Sequence, residues 1–596
     1  MDSRQTSDYE VYKKTRGFLI NVALGKEPAD LVLRGGNIVC VDTREIYPAD
    51  VVVKGNRIAL VGDASHTIGP KTKVINVKGK WISPGLMDAH MHVESSMLTV
   101  TEMARLLIPR GVTAIFADPH EIGNVFGIKG VRVMWEEAQQ VPMHVYICPS
   151  SAVPTAMGLE TSGAIISPDQ DAEMLDWDNV VALGEIMSPF VLAGYEDQQQ
   201  KISNTIARGK IVNGHTEGIH GPSLNAFLAA GVQDSHNSFT IEEGLELLRL
   251  GAKAIILEGT IIKRLHSLAR LITERGIDPR HILLCTDDMA PEDLYYNGQV
   301  DGIVRKAVKE GIDPIVAIQM ASLNCAEHYL LNRDQGSVVP GKLADLVVLD
   351  DLNTFKVNQV FIGGQLVAEN DQMVVELKPF KYPTWMLDSV HICGKMKKDD
   401  FRYLTNTTSP KVNVRVMTAG VINKEIHEML PVVNGEIMPD VKNDVLKMCV
   451  VERHTASGRI GRGFVKGFRL KRGAIGSSIA HNHHNLITVG TNDTDIAAVI
   501  NRLSEIKGGF VAVLDGKVVG ETFLPIAGLL SEKRGSELLK DMDALNNCAR
   551  ELLGSPMPSL FMELSFSGLP VVPELHITDL GLVSAAEFKI VPLEVE

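Results

Sequence analysis

Eight short apolar segments, spaced for strand–helix–strand units, run between residues 86 and 288, and several end in a residue able to ligate a metal. They cover residues 86–92, 113–118, 143–148, 180–185, 210–215, 232–236, 253–258 and 281–288. Continuous runs rich in β-branched residues mark strands buried on both faces, as a parallel sheet requires. Segments of helical texture separate them, among them 240–249 and 261–275. Eight such units predict an α/β fold, a (β/α)8 TIM barrel, whose catalytic groups gather at the C-terminal strand ends. His90, His92, Glu185, His215, His236 and Asp287 all fall at such ends.

The first segment closes on His90-Met91-His92. On a strand, this i, i+2 spacing turns both imidazoles to one face. Paired neutral imidazoles favour Zn, Mn, Fe or Ni, although a lone pair also occurs in ordinary polar loops. Six ligand-type residues on strands one, four, five, six and eight predict a metal centre. The surrounding Met87, Met91 and Met97 read as packing.

The chain of 596 residues exceeds one barrel and predicts further domains. With 59 basic against 73 acidic residues the net charge is −14, which argues against a nucleic-acid partner. Seven scattered cysteines without a CxxC fit a reduced, cytoplasmic protein. The apolar stretch 17–24 is too short for a membrane span and lacks a signal-peptide layout.

Strand-like alternation before the barrel (30–75) recurs after it (336–369), which predicts one small β domain built from both flanks. The expected division is residues 1–80 and 336–376 for that domain, with 81–335 for the barrel. Residues 377–408 form a connector, and 409–596 a C-terminal α+β domain with a hairpin about Asp515-Gly516.

On these residues the chain resembles the amidohydrolase superfamily and, within it, the adenine deaminases. The superfamily pattern of HxH on strand one, His on strands five and six and Asp on strand eight is similar to His90, His92, His215, His236 and Asp287. Many binuclear relatives bridge their metals with a carboxylated lysine on strand four; Glu185 stands there, as in the adenine deaminase branch. Residues 92–97 and 118–122 resemble that branch more specifically, and so do 481–485 and 490–493 in the C-terminal region. The chain departs from the pattern after His215, at Thr216-Glu217, and at Ser235-His236-Asn237, positions that touch the substrate pocket.

The resemblance implies hydrolysis of adenine to hypoxanthine and ammonia in purine salvage, through hydroxide generated between two divalent ions. Mn or Fe is favoured over Zn. One ion would be held by His90, His92 and Asp287, the other by His215 and His236, with Glu185 bridging. Asp287 would move the proton from water to the departing amine. Glu121, Glu217 and Asp288 are candidates for protonating the ring, with Glu121 preferred because it lies in the branch-specific segment. Ser95, Asp118, His120 and Asp288 are expected to bind substrate, with an extra metal as the alternative for Asp118 and His120; for these two a capping and hydrogen-bonding role in a βα loop carries equal weight. His481, His483 and His484 read first as a structural loop cluster, with metal binding or a place at the barrel mouth as the alternatives. A homodimer is expected.

Three rivals remain. Cyclic-amide hydrolysis is disfavoured because no lysine ends strand four. The other base-deaminase chemistry needs a PCxxC that the chain lacks. A non-catalytic scaffold is disfavoured because every ligand type is present.

Overall fold

The computed structural model describes residues 3–216, 218–420 and 423–595. Eight parallel strands form its centre: Leu86–Met91, Val112–Ala117, His144–Ile147, Ala182–Met187, Ile211–His215, Asp234–Ser235, Lys253–Leu257 and Ile282–Cys285. The first three pair in order, as do the fourth with the fifth and the last three with one another. A bridge from Ile147 to Val180 links the third to the fourth, and Gln233 N–H donates to Val212 O (3.1 Å) between the fifth and sixth. A further parallel bridge, Met91 to Asp287, returns the eighth to the first.

These strands are buried along their length because helices cover the outside and a second core fills the inside. Within that inner core Phe116 stacks between Tyr146 (5.0 Å) and Tyr329 (3.7 Å), beside Ile255, Leu283 and Cys285. Met87, Met91 and Met97 are buried, in keeping with packing. The helix expected over 240–249 starts at a capping box of Thr240 and Glu243, and Thr99 caps Val100–Leu107 by accepting from Glu102 N–H.

Two elements differ from expectation. The sixth strand shrinks to Asp234–Ser235, because the Asp234 carboxylate takes the Gly214 N–H (2.9 Å) in place of a backbone carbonyl. The helix expected over 261–275 breaks into Leu265–Leu268 and Arg270–Thr273. Arg264 N–H is drawn back to Leu257 O (2.9 Å) and Gly259 N–H to Ile262 O (2.8 Å), so 259–264 folds as a turn against its own strand.

The two flanks share one nine-stranded sheet, in which Trp81–Pro84 pairs antiparallel with Leu346–Asp351. Val51, Ile58, Ile82 and Val348 pack its core. Residues 377–408 hold two short 3-10 turns, Thr384–Leu387 and Lys398–Phe401. A second nine-stranded sheet spans Lys411–Thr418 to Lys517–Phe523, with helices Asp493–Glu505 and Gly535–Glu551 against it. Its last hairpin turns at Asp515 and Gly516, both at positive φ, as a type I′ turn demands. No helix among the described residues is long and apolar enough to cross a membrane.

The C-terminal region sits over the C-terminal ends of the parallel strands. Asn482 Nδ2 donates to Thr155 Oγ1 (2.8 Å), Asn485 Nδ2 to Thr161 O (2.8 Å) and Thr578 Oγ1 to Leu159 O (2.6 Å).

Candidate active site

Strand one delivers both imidazoles inward. His92 Nδ1 meets the Asp118 carbonyl oxygen at 3.0 Å, so Nε2 points at Asp287 Oδ1, also 3.0 Å away. His90 Nε2 stands 3.6 Å from Asp287 Oδ1 and 3.9 Å from Glu185 Oε2. That nitrogen is buried and has no hydrogen-bond partner, which fits a metal ligand better than a structural histidine. His236 Nε2 lies 3.1 Å from Glu185 Oε2, and its ring stacks on that of His90 at 4.2 Å. The ligand atoms of His90, His92 and Asp287, and those of His90, Glu185 and His236, lie within 4.8 Å of one another. His215 stands beside them, its ring 5.2 Å from His236 and its Nε2 3.0 Å from Asn237 Nδ2. Nitrogen and carboxylate donors this close and this dry suit Zn, Mn, Fe or Co.

Asp287 sits at φ 55°, in the left-handed region, immediately after the eighth strand. Its N–H donates to His90 O (3.0 Å) and its carbonyl accepts from His92 N–H (3.3 Å), which fixes the backbone there. Burial opposes its charge, but the imidazoles of His90 and His92 beside it outweigh that and hold the carboxyl well below the usual range. Glu185 behaves likewise: burial raises it, and His236 and His215 pull it well below. Beneath them Asp88 accepts from His90 N–H (3.3 Å), Thr286 N–H (3.1 Å) and Gln299 Nε2 (2.5 Å); burial still pushes it up to about 7.

The expected substrate residues separate into two layers. His120 and Asp288 line a cavity of about 180 Å³, together with Glu121, the expected ring-protonating group, whereas Ser95 and Asp118 stand behind it. Ser95 Oγ donates to Asp288 Oδ1, and Asp118 Oδ2 accepts Glu185 N–H (2.9 Å). Burial first and the neighbouring Asp287 second raise Asp288 above the ordinary carboxylate range. Glu217 lies outside the described residues.

The histidine run of residues 481–484 is buried rather than set in an open loop. His481 lines the cavity, its Nδ1 2.5 Å from Glu121 Oε1, and His484 Nε2 lies against Glu121 Oε2. Asn482, Phe566, Leu569, Val571 and Val572 of the C-terminal region close the cavity from above, while Phe239, Leu257 and Ile262 form its apolar wall. Apart from the histidine run, no local signal in the sequence marks these roof residues, because their partners lie hundreds of positions away.

Residues 81–367 match the Amidohydrolase family, and residues 420–589 match the adenine deaminase C-terminal domain. A Moorella thermoacetica protein named adenine deaminase is 41% identical over 580 residues, covering 96% of this chain and 97% of that protein. A Clostridium botulinum adenine deaminase is 40% identical over 584 residues, covering 97% of each chain. Adenine deaminase 3 of Rhizobium meliloti is 40% identical over 581 residues, covering 96% of this chain and 97% of that protein.

Proposed function

The chain belongs to the adenine deaminase branch of the amidohydrolase family, and from that footing we propose how its residues work. The reaction is hydrolytic deamination of adenine to hypoxanthine and ammonia. The eight-strand centre is taken as a closed (β/α)8 barrel within residues 81–335, whose first strand begins only after Trp81–Pro84 has joined the flank sheet, with the flanks 1–80 and 336–376, connector 377–408 and C-terminal domain 409–596 around it. A cytoplasmic homodimer completes the proposal.

His90, His92 and Asp287 would hold one divalent ion and His215 and His236 a second, with Glu185 between them; Mn or Fe is favoured over Zn. Bound there, the ions supply activation of water at neutral pH. The observation that carries this assignment is the Glu185 carboxylate: one oxygen faces His92 Nε2 (3.9 Å), and the other faces His236 Nε2 (3.1 Å).

The chain's own residues then manage protons and position. Asp287 accepts the proton that water gives up as it adds to C6, and passes it to the departing amine. Asp288, oriented by Ser95, is placed for the polar edge of the base. Asp118 and His120 support Glu185 from behind and beside, His120 Nδ1 lying 3.8 Å from Glu185 Oε1. Glu121 has both oxygens engaged by imidazoles, so it serves the ring-nitrogen side through them. The apolar wall covers the ring faces, as small-molecule sites do.

The test is ammonia release from adenine, adenosine, guanine and cytosine by Mn-reconstituted protein, with metal counted per chain. Adenine should lead at close to two ions per chain. Preferred turnover of another base would overturn the substrate assignment, and full activity at one ion would overturn the paired site.

A further inference from the structure

Glu121 and the 478–485 loop meet across the joint between the barrel and the C-terminal domain. Glu121, His481 and His484 are all buried, and their ligand atoms are close enough to surround an ion. The backbone argues for hydrogen bonds instead. Ala480 N–H points at His484 Nδ1 (3.4 Å), so that nitrogen accepts and the proton sits on Nε2, toward the carboxylate. Glu121 is therefore clamped by His484 on one oxygen, and its other oxygen takes His481 Nδ1. With Nδ1 committed, the Nε2 edge of His481 is the one left for the cavity that its ring lines. Phe566 packs on that ring (4.6 Å, 31°), and the His481 backbone N–H donates to Ser565 O (3.0 Å), so the ring is packed on one face and its backbone is held. A carboxylate behind an imidazole whose far nitrogen faces the reacting group is the arrangement that orients acid–base histidines in general.

We propose that His481, supplied by the C-terminal domain, is a catalytic residue of the deamination. Its Nε2–H meets the ring nitrogen next to the reacting carbon, and Glu121 holds it there. This rests on adenine as the substrate of the cavity. As the water oxygen bonds to C6, the electron pair of the C6–N1 double bond moves to N1. The Nε2–H bond of His481 breaks, and N1–H forms. The C6–amine bond then breaks, with ammonia taking the proton that Asp287 removed from water. The C6 hydroxyl proton, released as C6=O forms, returns through solvent to His481. Hypoxanthine keeps the hydrogen on N1, and no co-reactant is consumed.

The test uses Mn-loaded full-length His481→Ala and His481→Gln, read by kcat and KM for adenine, metal content and rescue by added imidazole. Turnover should fall by about 10²-fold or more, the scale of a lost acid–base group, with KM little changed and metal content as in the unsubstituted protein. Imidazole should restore part of the turnover of the alanine variant and none of the glutamine variant, whose side chain fills the gap. Near-normal kcat in either variant, a change confined to KM, or no recovery of a folded alanine variant would overturn the assignment. Should the alanine variant fail to fold, the kcat-against-KM split of the glutamine variant decides. If the unsubstituted, metal-loaded protein releases no ammonia from adenine, the functional proposal falls and takes this one with it. Normal turnover by both it and His481→Ala removes His481 alone.

Discussion

At the residue scale, the site depends on a few side chains whose surroundings work against their charge. Asp287 is buried yet held ionised by two imidazoles, and its backbone occupies a left-handed conformation that two inter-strand hydrogen bonds keep in place. A carboxylate so fixed has one orientation to offer, which suits a group that must receive a proton and hand it on. Asp287→Asn keeps the shape and the backbone bonds but removes the basic oxygen. Turnover should fall by roughly 10²-fold or more, while the circular dichroism spectrum stays unchanged. Near-normal turnover would move the proton-transfer role to Asp288, which Ser95 already orients. The ligand-type residues were legible because each falls at or near the end of a buried strand, where the alternation of faces dictates direction. The layering of Ser95 and Asp118 behind the cavity was not legible, since it depends on which neighbour each oxygen meets.

At the element scale, the parallel strands were readable from their continuous apolar runs, and the helix expected over 240–249 started at its Thr240 cap. The helix expected over 261–275 failed because backbone bonds to Leu257 and Ile262 outweigh the propensity of its first residues. Loops carry the same kind of side-chain control, and Glu160 shows its cost. Its Oε1 accepts Ala156 N–H (2.8 Å), while its Oε2 is buried without a partner among the described residues. Burial dominates and pushes the carboxyl up to about 7 from 4.5, against the lowering effect of those backbone bonds. The native state therefore binds the proton more tightly than the unfolded chain does. Stability from this group is fully present below about pH 4.5, falls as pH rises toward 7, and is flat above, a difference of about 3 kcal/mol at most. Glu160→Gln mimics the protonated form, so its melting temperature should decline less than that of the unsubstituted protein between pH 5 and pH 8. Parallel declines would mean that Glu160 is ionised in the fold at neutral pH or is solvated.

At the scale of the whole molecule, the cavity is a joint product of two regions that the sequence keeps far apart; His481 and Glu121 are separated by 360 positions. Periodicity and spacing report local structure and cannot reveal such a pairing, which is why the roof residues 566–573 went unread while the histidine run only hinted at it. What holds the roof down is a small set of polar contacts. Asp579 is buried and accepts Thr161 N–H (2.9 Å), Thr161 Oγ1 (2.7 Å) and Asn485 Nδ2 (3.4 Å), fastening the C-terminal region to the loop after the third parallel strand. Asp579→Ala strands the Thr161 N–H and hydroxyl at the joint, at a cost of about 1–3 kcal/mol for the unsatisfied groups. The proposed metal ligands lie at the ends of the parallel strands and do not share this contact. The variant should therefore retain its metal and most of its kcat, but melt earlier and show a raised KM for adenine as the roof over the cavity loosens. Loss of metal instead would mean that the joint also braces the strand ends. An unchanged KM together with unchanged melting would show that other contacts, such as Asn482 with Thr155, moor the roof without Asp579.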